Sequence, residues 1–294
     1  MDTVEERSFL ARHEFLIRRV HSVTGLVPVG AYMIVHMMVN LTALDFIGGP
    51  SMYQRAVYQI HGLGGLLPFV EWSCIFLPIL FHGLFGLLII REGLSNTGSY
   101  PYPANIRYSL QRITGILAFV FILYHVFHMH GWFHFHAWLE GVAQPLGGAQ
   151  FKPYNAASSL LQAMSGFWIP AVYAVGLAAC TFHLANGFWT MGITWGVWTS
   201  ARAQQAAAYL CGAFGLFVGI VSVGALLGAL LVDVDSARTI EDRMYFQKVS
   251  SGELDPQRSQ HKRAEARAAG AGVSSGAQVT TARADGTGVG ISGY

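Results

Sequence analysis

Five stretches of this 294-residue chain contain no Asp, Glu, Lys or Arg: residues 20–44, 72–90, 113–139, 153–201 and 203–232. A water-soluble fold needs charge spread over its surface, so runs of this length point to a lipid bilayer. Composition agrees. Only 12% of residues are charged, about half the usual share of roughly 25%. Hydrophobic residues reach 53%. A disordered protein and a secreted disulfide scaffold are excluded. A net charge of +2 also argues against a nucleic-acid binder.

A helix that crosses a bilayer needs about 20 mostly apolar residues. Five segments qualify, at about 20–42, 69–91, 108–130, 166–190 and 205–232, which predicts an all-α membrane protein with five transmembrane helices. The 153–201 window is read as one span. Its first part, PYNAASSLLQAMSG, is small and polar, and its last, TWGVWTSA, reads as an interfacial tryptophan belt. Asp2, Glu5, Glu6 and Arg7 precede any apolar run, against a cleavable signal peptide. With the N-terminus in the cytoplasm, the inner ends hold Arg7, Arg12, Arg18, Arg19, Arg91, Arg107, Arg112 and Arg202, and the outer loops hold Arg55 and Lys152. That bias satisfies the positive-inside rule and sends the C-terminus outside. The expected organisation is a cytoplasmic segment 1–19, a membrane domain 20–232 and a tail 233–294. The tail is rich in Gly, Ala, Ser and Thr, with eight basic and eight acidic residues, and reads as mostly disordered and extramembrane, with EDRMYFQK (241–248) as a candidate short helix.

Four of the twelve histidines lie well inside spans: His36, His82, His125 and His183, one in each of the first four. Ionisable residues at membrane depth are costly and usually functional. The alternative for any one of them is a hydrogen-bonded packing role, but one per successive span is hard to ascribe to packing. The surrounding strings repeat. Gly25 precedes His36 by eleven residues within RRVHSVTG…VHMMVN, and Gly115 precedes His125 by ten within LQRITG…YHVFH. His82 and His183 both stand in F-H-x-x-x-G. Spans one and two therefore resemble spans three and four, as a parallel repeat about the membrane normal. The repeat pairs His36 with His125 towards the outer leaflet and His82 with His183 towards the inner one. Two histidines facing one another in a bundle core suit a six-coordinate haem b. Zinc fits less well, because it wants three or four ligands at one point. No CxxCH occurs for covalent haem, and Cys74, Cys180 and Cys211 read as small packing residues. Glycines 25, 30, 83, 86, 115 and 187 leave room either for a macrocycle or for close helix packing. Arg18, Arg19 and Arg112 stand at the inner ends of spans one and three, as partners of haem propionates or as plain topology signal.

The strings RRVHSVTGLVPVG, FLPILFHGLFG, LQRITGI, YHVFH, FHLANGFW and TWG, in that order over roughly residues 15–230, resemble the dihaem cytochrome b membrane anchor of succinate dehydrogenases and fumarate reductases, the five-span, single-anchor type. The resemblance implies a four-helix haem-binding bundle from spans one to four plus a peripheral fifth helix. It implies two haem b groups, the inner on His82 and His183, the outer on His36 and His125. It also implies flavoprotein and iron-sulfur partner subunits on the cytoplasmic face of a bacterial cytoplasmic membrane, and electron transfer to a quinone. Menaquinone is expected over ubiquinone, near the outer side. The chain itself has no GxGxxG after a strand and no cysteine cluster, so dicarboxylate chemistry belongs to the partners. The alternative is a cytochrome b of another oxidoreductase: a hydrogenase, a formate dehydrogenase, or a transmembrane ferric or ascorbate reductase.

Asn40, Glu71 and His128 mark the expected quinone neighbourhood. Each has a plainer reading, for His128 an interfacial histidine facing water and for Glu71 a helix-start acid favoured by the macrodipole. His130, His134 and His136 read as a solvated loop.

Overall fold

The computed structural model describes residues 9–92 and 97–264; side chains are described from Arg12 on, except at positions 92, 258 and 261. Among the described residues five helices are long and apolar enough to cross a membrane: Arg12–Leu41, Gly64–Arg91, Pro103–His130, Trp168–Thr194 and Ala201–Leu231. No strand occurs among the described residues. The chain is an all-α, multi-pass membrane protein.

The spans begin and end where the sequence has reason to. Span one starts earlier than the charge-free run, because helix already forms at Phe9–Thr24 and carries Arg12, Arg18 and Arg19 in its first turns. The expected boundary at residue 19 therefore falls inside a helix. Pro28 lies within a widened turn over Gly25–Gly30. Proline has no N–H to donate and its ring crowds the preceding turn, and a local π-turn absorbs both effects. Span three ends at Gly131, whose φ of 77° gives the left-handed turn that closes the helix.

Span five shows how these helices read their surroundings. Ala207, Cys211, Val218, Ser222, Ala225 and Ala229 are buried against the protein. Tyr209, Leu210, Leu216, Ile220, Val223 and Leu231 are exposed. Small residues inward and large apolar ones outward is the arrangement lipid favours, since close backbone approach, not apolar burial, drives packing there. Span five lies along span four and the second half of span one. Cys180 and Cys211 pack inside; Cys74 departs from the packing expectation and is exposed.

At one end of the bundle the loops build a cap. Its parts are the helix Gly49–His61, the short helix Ala156–Ala163 and the helix Val234–Ser250. This is where the structure departs most from the composition reading of 233–294. Asp233 caps the last helix by accepting from Ser236 N at 2.8 Å. The fold continues through Tyr245, hydrogen-bonded to Ser259 at 2.7 Å, and through an Arg263–Asp242 ion pair. Residues 265–294 lie outside the described residues.

Glu241 holds this cap together. Its side chain is fully buried. Oε1 accepts from the backbone N–H groups of Ala157 (2.7 Å) and Ser158 (3.0 Å). Oε2 accepts from Ser158 Oγ (2.6 Å) and Asn155 Nδ2 (3.2 Å). Gln54, also fully buried, accepts from Ala156 N and donates to the Pro153 carbonyl. A helix N-terminus leaves donors without intrahelical partners; here a tail carboxylate and a loop amide satisfy them. Burial outweighs the four hydrogen bonds and holds the Glu241 carboxyl above its usual range.

Candidate functional site

Spans one to four enclose a cavity of about 1290 Å³ that runs along the bundle and is lined by His36, His82, His125 and His183. The histidines meet in the two expected pairs. His82 and His183 have ring centroids 6.0 Å apart with planes at 81°, and His36 and His125 are 5.8 Å apart at 71°. An iron held by an imidazole nitrogen at about 2 Å on each side sets the ring centres roughly 6 Å apart. Both pairs meet that requirement. Among the described residues no three His, Cys, Asp or Glu side chains converge at one point.

The His82–His183 pair, at the end away from the cap, is fixed by main chain. His82 Nδ1 lies 2.8 Å from the His21 carbonyl oxygen and His183 Nδ1 lies 3.0 Å from that of Gln111. A carbonyl only accepts, so Nδ1 carries the proton and Nε2 keeps its lone pair for a metal. Glycine permits the approach. A Cβ on Gly115 would stand 2.8 Å from His183 Cε1, and one on Gly25 would overlap the His82 ring. His21 stacks on His82 at 4.0 Å. Behind His183, Gln111 Oε1 accepts from Asn186 (2.8 Å), and Asn186 accepts from Arg107 through Nε (3.0 Å) and Nη2 (2.7 Å).

The His36–His125 pair is fixed by side chains. His125 Nδ1 is 3.2 Å from the Tyr173 hydroxyl, which also reaches His128 Nδ1 at 2.8 Å. His36 Nε2 stands 3.4 Å from Asn40 Nδ2, a long contact; that amide donates at 2.8 Å to the His36 carbonyl. Tyr53, from the cap, donates to Asn40 Oδ1 at 3.2 Å.

The remaining expected residues divide. Arg18 and Arg112 lie on the cavity wall. Arg18 pairs with Glu14 at 2.8 Å, and Arg112 donates to the Ile89 and Ile90 carbonyls, tying span three to the end of span two. Arg19 instead stacks between Phe15 (4.3 Å) and Trp195 (5.0 Å). Asn40 and Glu71 line the main cavity, whereas His128 lines a second, smaller pocket with Gln150 and Gln162. His128 is 5% exposed, so the water-facing alternative does not hold. His130, His134 and His136 are all exposed, as expected of a solvated segment, although only His134 sits in irregular backbone: His130 ends span three, and His136, 2.7 Å from Glu140, opens a short helix. His130 and His134 line the cap end of the main cavity with His61 and Lys262. Burial holds the His61 imidazole below its usual range; Lys262 acts in the same direction and a hydrogen bond with the Val57 carbonyl opposes it.

Sequence reading missed Tyr173, His21, Arg107, Gln111 and Asn186. Gln111 and Asn186 lie inside the quoted strings LQRITG and FHLANG, so their signal was the string itself. Tyr173 carries none.

The chain is 32% identical over 214 residues to the succinate dehydrogenase cytochrome b558 subunit of Bacillus subtilis (strain 168), covering 72% of this chain and 94% of that protein. No protein-family model and no solved structure matches the chain. A relative matched over nearly its whole length, together with two histidine pairs in a four-helix cavity, shows that this chain belongs to the succinate dehydrogenase cytochrome b subunit family.

Proposed function

We propose that the chain is the membrane anchor and electron-conducting subunit of a succinate:quinone oxidoreductase. The observation that carries this is the pair of 5.8 and 6.0 Å histidine separations at two depths of one cavity. His82 and His183 hold one haem b, and His36 and His125 hold a second. Bound haem supplies one-electron carrier chemistry, and a pair at two depths suits conduction across the bilayer. The residues around them do the rest. The His21 and Gln111 carbonyls and the Tyr173 hydroxyl orient the imidazoles. The apolar walls of spans one to four keep bulk water away. Arg18 and Arg112, on the wall at the end away from the cap, are positioned to meet propionates.

That end faces the cytoplasm, by the arginine bias, where a flavoprotein and an iron-sulfur subunit dock. The cap and the C-terminus face outward. The membrane is the bacterial cytoplasmic membrane. Electrons pass towards the cap end to a quinone, more suitably menaquinone, which takes up two electrons and two protons to become the quinol.

Haem quantification as the pyridine haemochrome, with a redox titration of the purified complex, tests this. Two b-type haems per chain are expected. His82→Ala or His183→Ala is expected to remove one, and His36→Ala or His125→Ala the other. One haem, or a loss that does not follow the pairs, overturns the assignment.

A further inference from the structure

Tyr173 stands between two compartments. Its ring lies on the wall of the main cavity, and its hydroxyl reaches His125 on one side and His128 on the other. His128 belongs to a separate pocket of about 340 Å³, formed where spans three and four leave the cap end. The Tyr124 ring stacks on His128 with planes 7° apart, Gln150 and Gln162 bring amides, and Leu146, 70% exposed, stands at the rim.

Proton bookkeeping gives this chain of contacts a direction. With His125 Nε2 on a metal, its Nδ1 carries the proton and donates to the Tyr173 oxygen. The single Tyr173 proton is then free for His128 Nδ1, which must accept it. His128 is left with its proton on Nε2. His128 lines the second pocket, which is where an acceptor for that N–H would sit. A site of this size holds a small ring system and not a long chain. Its exposed rim, next to exposed Phe167 and Trp168 at the start of span four, lets an apolar tail leave into the bilayer.

We propose that this second pocket seats the quinone head group, with His128 Nε2–H donating to a ring carbonyl oxygen and Tyr173 bridging that histidine to His125. The inference rests on the haem assignment given above and adds the place of the quinone. Asn40 and Glu71, on the main cavity, are then not its contacts. Tyr173 is a positioning residue, since it acts through the two histidines.

The test uses the purified complex with both haems, menadione as a tail-less naphthoquinone probe, and three readings: menadione binding by equilibrium dialysis, KM against kcat, and the potential of each haem. His128→Ala is expected to raise Kd and KM about tenfold, the worth of one hydrogen bond, with both haems retained. Tyr173→Phe removes the acceptor from His125 Nδ1–H, making the imidazole a poorer electron donor. It should raise the potential of the cap-end haem alone and also weaken menadione binding. Leu146→Trp, at an exposed position that leaves the core untouched, should narrow the pocket and raise KM even if His128→Ala fails to fold. Unchanged menadione binding in His128→Ala and Leu146→Trp overturns the proposal. So does weakened binding confined to Asn40→Ala or Glu71→Gln, which puts the quinone in the main cavity. A wild-type complex with fewer than two haems overturns the haem assignment instead, and it is read before any variant.

Discussion

The two histidine pairs share one sequence pattern and nearly one separation, 6.0 and 5.8 Å, yet they are held by different means. His82 and His183 bond to backbone carbonyls, and glycines let the helices close on their rings. His125 bonds to a tyrosine hydroxyl, and His36 is steadied by an amide that a cap tyrosine also grips. A backbone carbonyl cannot rotate and has no proton to exchange. A hydroxyl can rotate and exchange its proton. The first pair is thus held rigidly by main chain, and the second is coupled through side chains to whatever lies beyond it.

Glycine substitutions should break the comparison most sharply. Gly115→Ala puts a methyl 2.8 Å from His183, and Gly25→Ala puts one into the His82 ring. No described glycine stands so against His36 or His125. Each variant is expected to lose the haem of the His82–His183 pair and keep the other, as read in the redox titration. Loss of both haems would mean that the sites are not separately built.

Next comes Glu241→Ala. It strands two backbone donors and two side-chain donors at the start of Ala156–Ala163, for a cost of roughly 3 kcal/mol. Hydrogen exchange at Ala157 and Ser158 should accelerate, and haem should become more labile at the cap end alone. Glu241 also gives the cap a pH dependence. Its folded pKa is raised above its usual value. Stability is therefore full below the unfolded pKa and falls as pH rises through the folded one. Glu241→Gln should flatten that slope in thermal melts between mildly acidic and neutral pH.

The smallest effect is expected at Asn40. Its contact with His36 Nε2 is 3.4 Å, too long to fix the ring strongly, and its bond from Tyr53 is ordinary. Asn40→Ala should retain both haems and cost about 1 kcal/mol. A lost cap-end haem would shift the weight of that site from Tyr173 to Asn40.

The membrane part was legible because lipid imposes long-range regularity on sequence. Charge-free runs mark the five spans, and the repeated glycine–histidine spacing and F-H-x-x-x-G string match the two pairs in which the histidine rings meet. What stayed hidden depends on contacts distant in the chain. Ser158 and Glu241 are 83 positions apart, and Gln111 and His183 are 72 apart. The sequence offered 241–248 as a short helix, but nothing local distinguishes Glu241 from a solvated acid, so neither its burial nor the helix's extent over Val234–Ser250 was legible. His128 was grouped with Asn40 and Glu71 because all three lie at the same depth. Three residues beyond His125 on a helix of 3.6 residues per turn, it is turned by about 60°, enough to face another pocket.

The Glu241 clasp also dictates an order of events during synthesis. When Ala157 and Ser158 are added to the growing chain, the carboxylate that completes them is still 83 or more residues from being made. Span five must be made, and the charged stretch after it must follow, before the clasp can close. The cap is thus the last part of the described fold to form. Until then Asn155, Ala157 and Ser158 lack the acceptor that completes them, so a chain that stops short of residue 241 leaves those donors unpaired.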